Sequence, residues 1–383
     1  LLVTPERFAK EAFLQALKAN TIGLLVVDEA HCLSVWGHDF RPDYSRLGDI
    51  QQQLGQPVTL ALTATATPAV KTDICRTLRI DEKNIQDGGI ERPNLGIHVH
   101  DVYGWDEKIR HIYGLHLQNP GAKVIYCSLI SSCYKVAQEL EKLKVPYYLY
   151  HGDLPFPARV QSQKQFLKDP NGLMIATPAF GLGVDKPDIR MIIHAELPAS
   201  MEAYFQEIGR AGRDGLPASG QLLLDPDDVS IQMEFIKWGN PDAEFINAVF
   251  NILKNNLARV QVEGIEFVRR QMNFFNSRDF RVEASISLLE RDGAIETGVS
   301  PVKVSGNEIK NSGGRKQIQI MKDPSVELLD QKMIQARIKN QSQKLLTLFQ
   351  WAQQTGQCRM QGIFEYFQYP MQKNCGHCDY CQN

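Results

Sequence analysis

The 383-residue chain has no surplus of charge of either sign: 42 Lys+Arg face 44 Asp+Glu, for a net charge of −2. Without a basic excess there is no global electrostatic footprint for nucleic acid, so any such surface must be a local groove and not a charged tail. No apolar run approaches the roughly 20 residues that span a bilayer, which excludes a membrane partner through a spanning helix. No signal-peptide pattern opens the chain. Low-complexity tracts and internal repeats are missing too, which leaves ordinary globular architecture, long enough for roughly two to four domains. Of eight cysteines, Cys32, Cys75, Cys127 and Cys133 stand singly in strand- or helix-like contexts, as reduced thiols of a cytosolic protein would; the other four crowd the far end. One absence is chemical. The phosphate-cradling pattern Gly-x₄-Gly-Lys-Ser/Thr occurs nowhere.

What is present starts with Asp28-Glu29-Ala30-His31, directly after the apolar run Ile22–Val27. Such a run reads as a parallel strand buried on both faces. Carboxylates at the carboxyl end of such a strand sit where open α/β sheets bind ligands. One acid can hold Mg²⁺ on a nucleotide's β and γ oxygens while its neighbour positions the attacking water. The plainer alternative is an acid that caps the next helix.

The following stretch packs Trp36, His38, Phe40, Arg41 and Tyr44 among Gly, Pro and Asp without helical or strand period. Aromatic faces with a guanidinium suit stacked bases of single-stranded nucleic acid, at about 1–3 kcal/mol per base; a small hydrophobic satellite under a loop is the alternative. With LALTATATP at Leu60–Pro68, this segment resembles the aromatic-rich loop and motif III of the RecQ DNA helicases.

Strand candidates Ile22–Val27 and Val58–Leu62 alternate with helical stretches Glu6–Ala19 and Pro68–Leu78. A second α/β unit follows, with strands Lys123–Tyr126, Tyr147–Tyr150, Leu173–Ala176, Met191–His194 and Gln221–Leu224, and a helix after a Ser131-Ser132 cap. The rhythm predicts two parallel-sheet lobes whose facing ends form a cleft. In the second unit, Gly181 and Gly183 allow close backbone approach just before Asp185. In MEAYFQEIGRAGRDG, Met201–Gly215, a helix opening at a Ser200 cap would carry Gln206, Arg210 and Arg213 at i, i+4 and i+7 on one face. These runs resemble motifs V and VI of superfamily 2 helicases, and Val124–Ser128 with His151-Gly152 resembles motif IV and the region after it.

By this resemblance Asp28 ligates Mg²⁺, Glu29 orients the hydrolytic water, and His31 and Gln206 couple the nucleotide to the lobe interface. Gly183, Asp185, Arg210 and Arg213 would serve the nucleotide. Trp36, His38, Phe40, Arg41, Thr63, Thr65, His151 and Thr177 would contact DNA or report its presence. Val35 stands where relatives often carry glutamine.

Cys358, Cys375, Cys378 and Cys381 are spaced C-x₁₆-C-x₂-C-x₂-C, enough thiolates to close a tetrahedron around Zn²⁺; a disulfide set is the alternative. The run also resembles the family's zinc-binding subdomain. His377 lies inside the cluster but is not needed as a ligand.

The expected architecture is α/β: two RecA-like parallel-sheet lobes, the first incomplete, then a helical, winged-helix-like segment and a Cys₄ zinc-binding subdomain. The expected divisions are 1–98 and 99–225 for the lobes, 226–325 for the helical segment and 326–383 for the zinc subdomain. The middle segment could equally be a helical spacer with a loose loop. Its basic residues Arg269, Arg270, Arg281, Lys303, Lys310, Arg315 and Lys316 fit phosphate contacts or a solvated face.

The resemblance implies an ATP-dependent 3′-to-5′ DNA helicase acting in repair, recombination and replication, with ATP, Mg²⁺ and Zn²⁺ as cofactors. It implies single-stranded and forked duplex DNA as partners, a monomer, and a cytoplasmic, nucleoid-associated place, or a nuclear one in a eukaryote. Since the sequence opens on Leu1 and lacks the phosphate loop, the expectation is a truncated helicase that is inactive alone and leaves apolar sheet surface uncovered. The alternative is a non-catalytic DNA-binding remnant. A zinc-dependent transcription factor would not account for DEAH or QEIGRAGRDG.

Overall fold

The computed structural model describes residues 1–34, 42–181, 184–272, 279–299, 316–371 and 373–382. Trp36, His38, Phe40, Arg41, Gly183, Lys303, Lys310 and Arg315 lie outside the described residues.

The first lobe is built on two parallel strands, β1 (Leu24–Val27) and β2 (Val58–Ala61), in register from Leu24↔Val58 to Val27↔Ala61. Helices Glu11–Lys18, Leu47–Gln53 and Pro68–Leu78 supply Leu14, Leu47, Ile50, Val70, Ile74 and Leu78 to its core, on the side where Val27 is buried. The other side departs from the reading of β1 as covered on both faces. Leu24, Val26, Val58, Leu60 and Leu62 are exposed, because no described element packs over them.

The second lobe is a six-stranded, all-parallel sheet of β3 (Leu95–Asp101), β4 (Ala122–Tyr126), β5 (Tyr148–Tyr150), β6 (Leu173–Ala176), β7 (Ile189–His194) and β8 (Ala218–Leu224), in the order β3-β8-β7-β4-β6-β5. β4 and β6 are buried at every position, as parallel strands covered on both faces must be. β3 is the strand missed by sequence reading, and the expected division at 98/99 falls inside it. The helix Ile130–Lys142 does not start on a Ser131-Ser132 cap. Its N-terminus takes the buried Glu196 carboxylate instead, which accepts from Ser128 N (2.7 Å), Leu129 N (3.3 Å) and Ser132 Oγ (2.6 Å).

Beyond β8 come helices Asp228–Gly239, Ala243–Asn255, Leu257–Glu263, Ile265–Gln271 and Arg281–Arg291, closed by an antiparallel hairpin of β9 (Ile295–Val299) and β10 (Lys316–Ile320). Val249, Phe250, Leu253, Val268, Leu289, Ile295 and Ile318 give these helices and the hairpin a common core, which a loose spacer would lack. Arg269 pairs with Glu283, Arg270 with Glu263 and Arg281 with Asp279.

The C-terminal helices Gln331–Gln353 and Arg359–Tyr366 do not form a separate body. Leu345, Leu348, Trp351, Cys358, Phe364, Phe367 and Cys378 share one core with Leu95, Ile97, Met201 and Tyr204 of the second lobe. Among the described residues, no helix is long and apolar enough to cross a membrane.

Candidate active site and metal centre

β1 ends at Val27, and the chain turns there through Glu29, whose backbone is left-handed (φ 49°, ψ 45°). A left-handed non-glycine residue stores strain and is found disproportionately at functional sites. The Glu29 side chain makes no cap hydrogen bond to the short 3₁₀ turn Ala30–Leu33, so the capping alternative is not what the structure forms. It points into the gap between the lobes. There Glu29 Oε1 accepts from Gln206 Nε2 at 3.5 Å and Glu29 Oε2 lies 3.3 Å from His31 Nδ1. His31 is buried, with Nδ1 3.1 Å from Thr63 Oγ1, and that hydroxyl donates to Thr65 O at 3.0 Å. A continuous polar chain thus runs from Gln206 through Glu29 and His31 to the turn after β2.

The cleft between the lobes has a volume of about 390 Å³. Glu29 and Thr65 line it from one side, and Gly181, Asp185, Gln206, Arg210 and Arg213 from the other. The arginines arrive there by a route other than the one expected. The helix spans only Met201–Ile208, opening on Ser200, whose Oγ accepts from Ala203 N (3.2 Å). It stops at Gly209, and a turn through Gly212 (φ +61°) carries Arg210 and Arg213. The helix cannot continue because the chain is drawn onto the sheet edge: a Cβ on Gly212 would lie 2.5 Å from Asn94 Nδ2 and 2.9 Å from Ala218 Cβ.

Arg210 Nη1 donates to Gly181 O, and Arg213 Nη1 pairs with Asp185 Oδ1 at 3.1 Å. Both arginines are therefore held by the loop that resembles motif V. Among the described residues, the buried Nε of Arg210 and the Thr65 hydroxyl have no hydrogen-bond partner. A donor and a hydroxyl left over in a cleft of this size fit a polyanionic ligand, since buried polar groups normally find partners. Asp28 is exposed and does not line the cleft, its Oδ1 accepting from Glu29 N at 2.9 Å. His151 and Thr177 lie at the carboxyl ends of β5 and β6 and do not line the cleft. His151 is buried against Tyr134 OH (3.1 Å), and burial lowers its pKa from the ordinary histidine value.

Sequence reasoning missed Arg92. It donates to Gly209 O (2.7 Å) and Ala211 O (2.5 Å), clamping the arginine-bearing turn, and it also lines the cleft. Burial, and then the nearby Arg213 charge, lower its pKa. A single Arg in the interlobe segment carries no pattern that would have announced it.

At the other end of the chain the four thiol sulfurs of Cys358, Cys375, Cys378 and Cys381 lie within 4.8 Å of one another. Two of the edges, Cys358–Cys378 and Cys375–Cys381, are both 3.9 Å. That is close to the sulfur–sulfur edge of a tetrahedron with metal–sulfur bonds of about 2.3 Å. All eight cysteines are free thiols, so the disulfide alternative is not formed. His377 is engaged elsewhere, its Nε2 3.1 Å from Leu95 O on β3. The cluster is pinned to the sheet by Asp379, which accepts from Val99 N (3.0 Å) and pairs with buried Arg359 (2.9 Å).

Comparison with known families agrees with this geometry. Residues 1–73 match the DEAD/DEAH box helicase family, residues 107–215 the helicase conserved C-terminal domain, and residues 318–382 the RecQ zinc-binding family. The chain is 40% identical over 262 residues to the probable ATP-dependent DNA helicase RecS of Bacillus subtilis, covering 68% of this chain and 52% of that protein. It is 41% identical over 238 residues to ATP-dependent DNA helicase RecQ of the same organism, covering 61% and 40%. With ATP-dependent DNA helicase hus2/rqh1 of Schizosaccharomyces pombe it shares 39% identity over 253 residues, covering 64% and 19%. The chain thus spans about half the length of these curated relatives, or less. A solved structure of Saccharomyces cerevisiae Dbp5, bound to RNA and ADP BeF3, is 17% identical with a TM-score of 0.48, covering 58% of this chain and 60% of that one.

Two parallel-sheet lobes that face each other across an acid, a glutamine and two arginines define the core of a superfamily 2 helicase. With a four-cysteine centre built onto the second lobe, the chain belongs to the RecQ-type helicases.

Proposed function

We propose that this chain supplies the catalytic cleft and zinc centre of an ATP-driven, 3′-to-5′ DNA helicase acting on single-stranded and forked duplex DNA in repair, recombination and replication. The observation that carries the reading is the convergence of Glu29, Gln206, Arg210 and Arg213 on one interlobe cleft. Bound ATP with Mg²⁺ would supply the phosphoanhydride whose hydrolysis drives translocation. Asp28 would hold the metal, Glu29 would orient water, and Arg210 and Arg213 would neutralise charge developing on the γ-phosphate. An arginine in that role is worth about 10³–10⁵ in rate in other phosphoryl-transfer systems.

The chain Glu29–His31–Thr63–Thr65 gives the cleft a path to the loop after β2, so nucleotide state and DNA contact can be coupled. Trp36, Phe40 and Arg41 are proposed to stack on the translocating strand, with His38, His151 and Thr177 contributing to the same track. Gly183 and Asp185 are assigned to the nucleotide side. The four cysteines are assigned to structural zinc, and the segment 226–325 to the duplex ahead of the fork.

The test is ATP hydrolysis and strand displacement by the native protein from its source cells, with and without single-stranded DNA. DNA-stimulated hydrolysis with 3′-to-5′ displacement supports the reading. Tight DNA binding with no hydrolysis would favour the DNA-binding remnant, the reading that the missing Gly-x₄-Gly-Lys-Ser/Thr pattern keeps in view. The same assay on the 383-residue chain alone is expected to show weak ATP binding and little turnover.

A further inference from the structure

A short segment of the cysteine-bearing region, Tyr366 to Tyr369, reaches both lobes. The helix Arg359–Tyr366 ends there, and a left-handed Gln368 (φ +59°) folds the chain back so that Tyr369 N donates to Phe364 O at 2.8 Å. On the second-lobe side, the buried Glu202 carboxylate pairs with Lys344 Nζ at 2.8 Å, and burial together with the Glu202 charge raises the pKa of the neighbouring Tyr366 phenol. Phe367 is fully buried with its ring 5.7 Å from that of Phe205. Glu202 and Phe205 belong to the Met201–Ile208 helix, and Phe205 is itself part of the cleft wall.

On the first-lobe side, Tyr369 OH donates to the Asp87 carboxylate (2.7 and 2.8 Å) and accepts from Lys71 Nζ (3.0 Å). Lys71 closes the triangle with Asp87 at 2.5 Å and lies 4.7 Å over the Tyr369 ring. Both partners sit on levers that lead to the cleft. Lys71 is in the first turn of the Pro68–Leu78 helix, six residues after Thr65. Asp87 directly precedes Gly88 and Gly89, and Gly89, with φ +72°, lines the cleft together with Arg92.

We propose that Tyr369 is a positioning residue: its hydroxyl clasps the first lobe to the cysteine-bearing subdomain and so sets how the two walls of the cleft face each other. The zinc subdomain thereby acts on both walls at once, through Phe367 on one and Tyr369 on the other. Part of this inference, its effect on ATP use, rests on the function proposed above; the clasp itself does not.

The experiment is hydrogen–deuterium exchange on the full chain without ligand, comparing wild type with Tyr369→Phe and Asp87→Asn, with zinc content and melting temperature measured on each. Losing one such bond is expected to raise amide exchange across 68–92 by about 3- to 10-fold, with zinc content and exchange in β4, β6 and β7 unchanged. Lys71→Arg, which keeps donor and charge, should exchange like wild type, whereas Lys71→Ala should match Tyr369→Phe. Unchanged exchange at 68–92 in both Tyr369→Phe and Asp87→Asn would overturn the clasp. In the native protein Tyr369→Phe should raise KM for ATP several-fold and leave kcat within about twofold; kcat falling with KM unchanged would overturn the positioning role. Absence of hydrolysis in the wild type would instead strike the proposed function, and exchange would still decide the clasp.

Discussion

Gln206 and Glu29 meet across the interlobe cleft, Nε2 to Oε1 at 3.5 Å, although 177 positions separate them in the chain. The acid belongs to the strained turn after β1, the amide to the last full turn of the Met201–Ile208 helix. A contact of this kind exists only when the lobes face each other, so it ties the Glu29 carboxylate to lobe geometry. Glu29→Gln keeps shape and hydrogen bonding but removes the charge. It is expected to lower DNA-stimulated hydrolysis by the native protein about 10²-fold or more, with nucleotide and DNA binding retained. Steady-state kinetics beside equilibrium binding would check this; hydrolysis within about threefold of wild type would remove Glu29 from the chemistry.

The cysteine centre shares its core with the second lobe, so its loss should not stay local. Structural zinc contributes about 10–16 kcal/mol of apparent free energy in small domains. Cys378→Ser removes a fully buried ligand candidate. It is expected to abolish stoichiometric zinc and to expose β3, which the cluster holds through Asp379 and His377. Zinc analysis with exchange mapping tests both, and full zinc with an unchanged melt would refute the assignment.

Much of this arrangement was legible in the sequence, and the misses have physical reasons. β4, β6 and β7 are covered on both faces by nearby helices, which leaves near-continuous apolar runs that reading along the chain detects. β3 interleaves His98 and His100 with Leu95, Ile97 and Val99, because one part of its cover is the remote segment around His377 and Asp379. The residues of the cleft were legible through their motifs, but the delivery of Arg210 and Arg213 was not. A helical period was extended past Gly209, whereas packing of Gly212 against Asn94 and Ala218 ends the helix. Arg92 and Tyr369 act through partners far away in sequence, and no local pattern marks such residues.

Gly212 gives a direct test of that turn. A methyl group there meets Asn94 Nδ2 at 2.5 Å and forces a side chain into φ +61°. Gly212→Ala is expected to cost about 1–3 kcal/mol of stability. It should also lower kcat by shifting Arg213, with DNA affinity little changed. Denaturant unfolding and single-turnover kinetics would show it, and a variant as stable and active as wild type would mean the turn is not constrained as described.

Lys108 is almost fully buried, with Nζ 2.6 Å from Asp228 Oδ1 and 3.6 Å from Asp225. Burial raises the Asp228 pKa from 3.8 to about 7, against the pull of Lys108. A folded-state pKa above the unfolded one means that the native chain holds a proton that the unfolded chain has released. This contribution to stability is fully present below 3.8 and is lost as pH rises through about 7. Wild type should therefore show a component of declining stability between those limits that Asp228→Asn lacks. Parallel slopes for the two proteins in pH-dependent melts would show that Lys108 keeps Asp228 ionised throughout.

The exposed face of the first lobe sets the behaviour of the isolated chain. Leu24 and Val58 are direct partners in the β1–β2 register and are 55% and 72% exposed. Two parallel strands with apolar side chains in water, and with no further strand paired to them among the described residues, are a template for association. Leu24→Glu with Val58→Lys replaces that apolar pair by an opposite-charge pair on adjacent strands, an arrangement that sheets tolerate. Because neither side chain belongs to the core, stability should change by no more than about 0.5 kcal/mol. The concentration at which the 383-residue chain begins to scatter light should rise severalfold. If the double variant instead lost several kcal/mol, the face would have to be packed in solution, against another copy of the chain or against a segment folded over it.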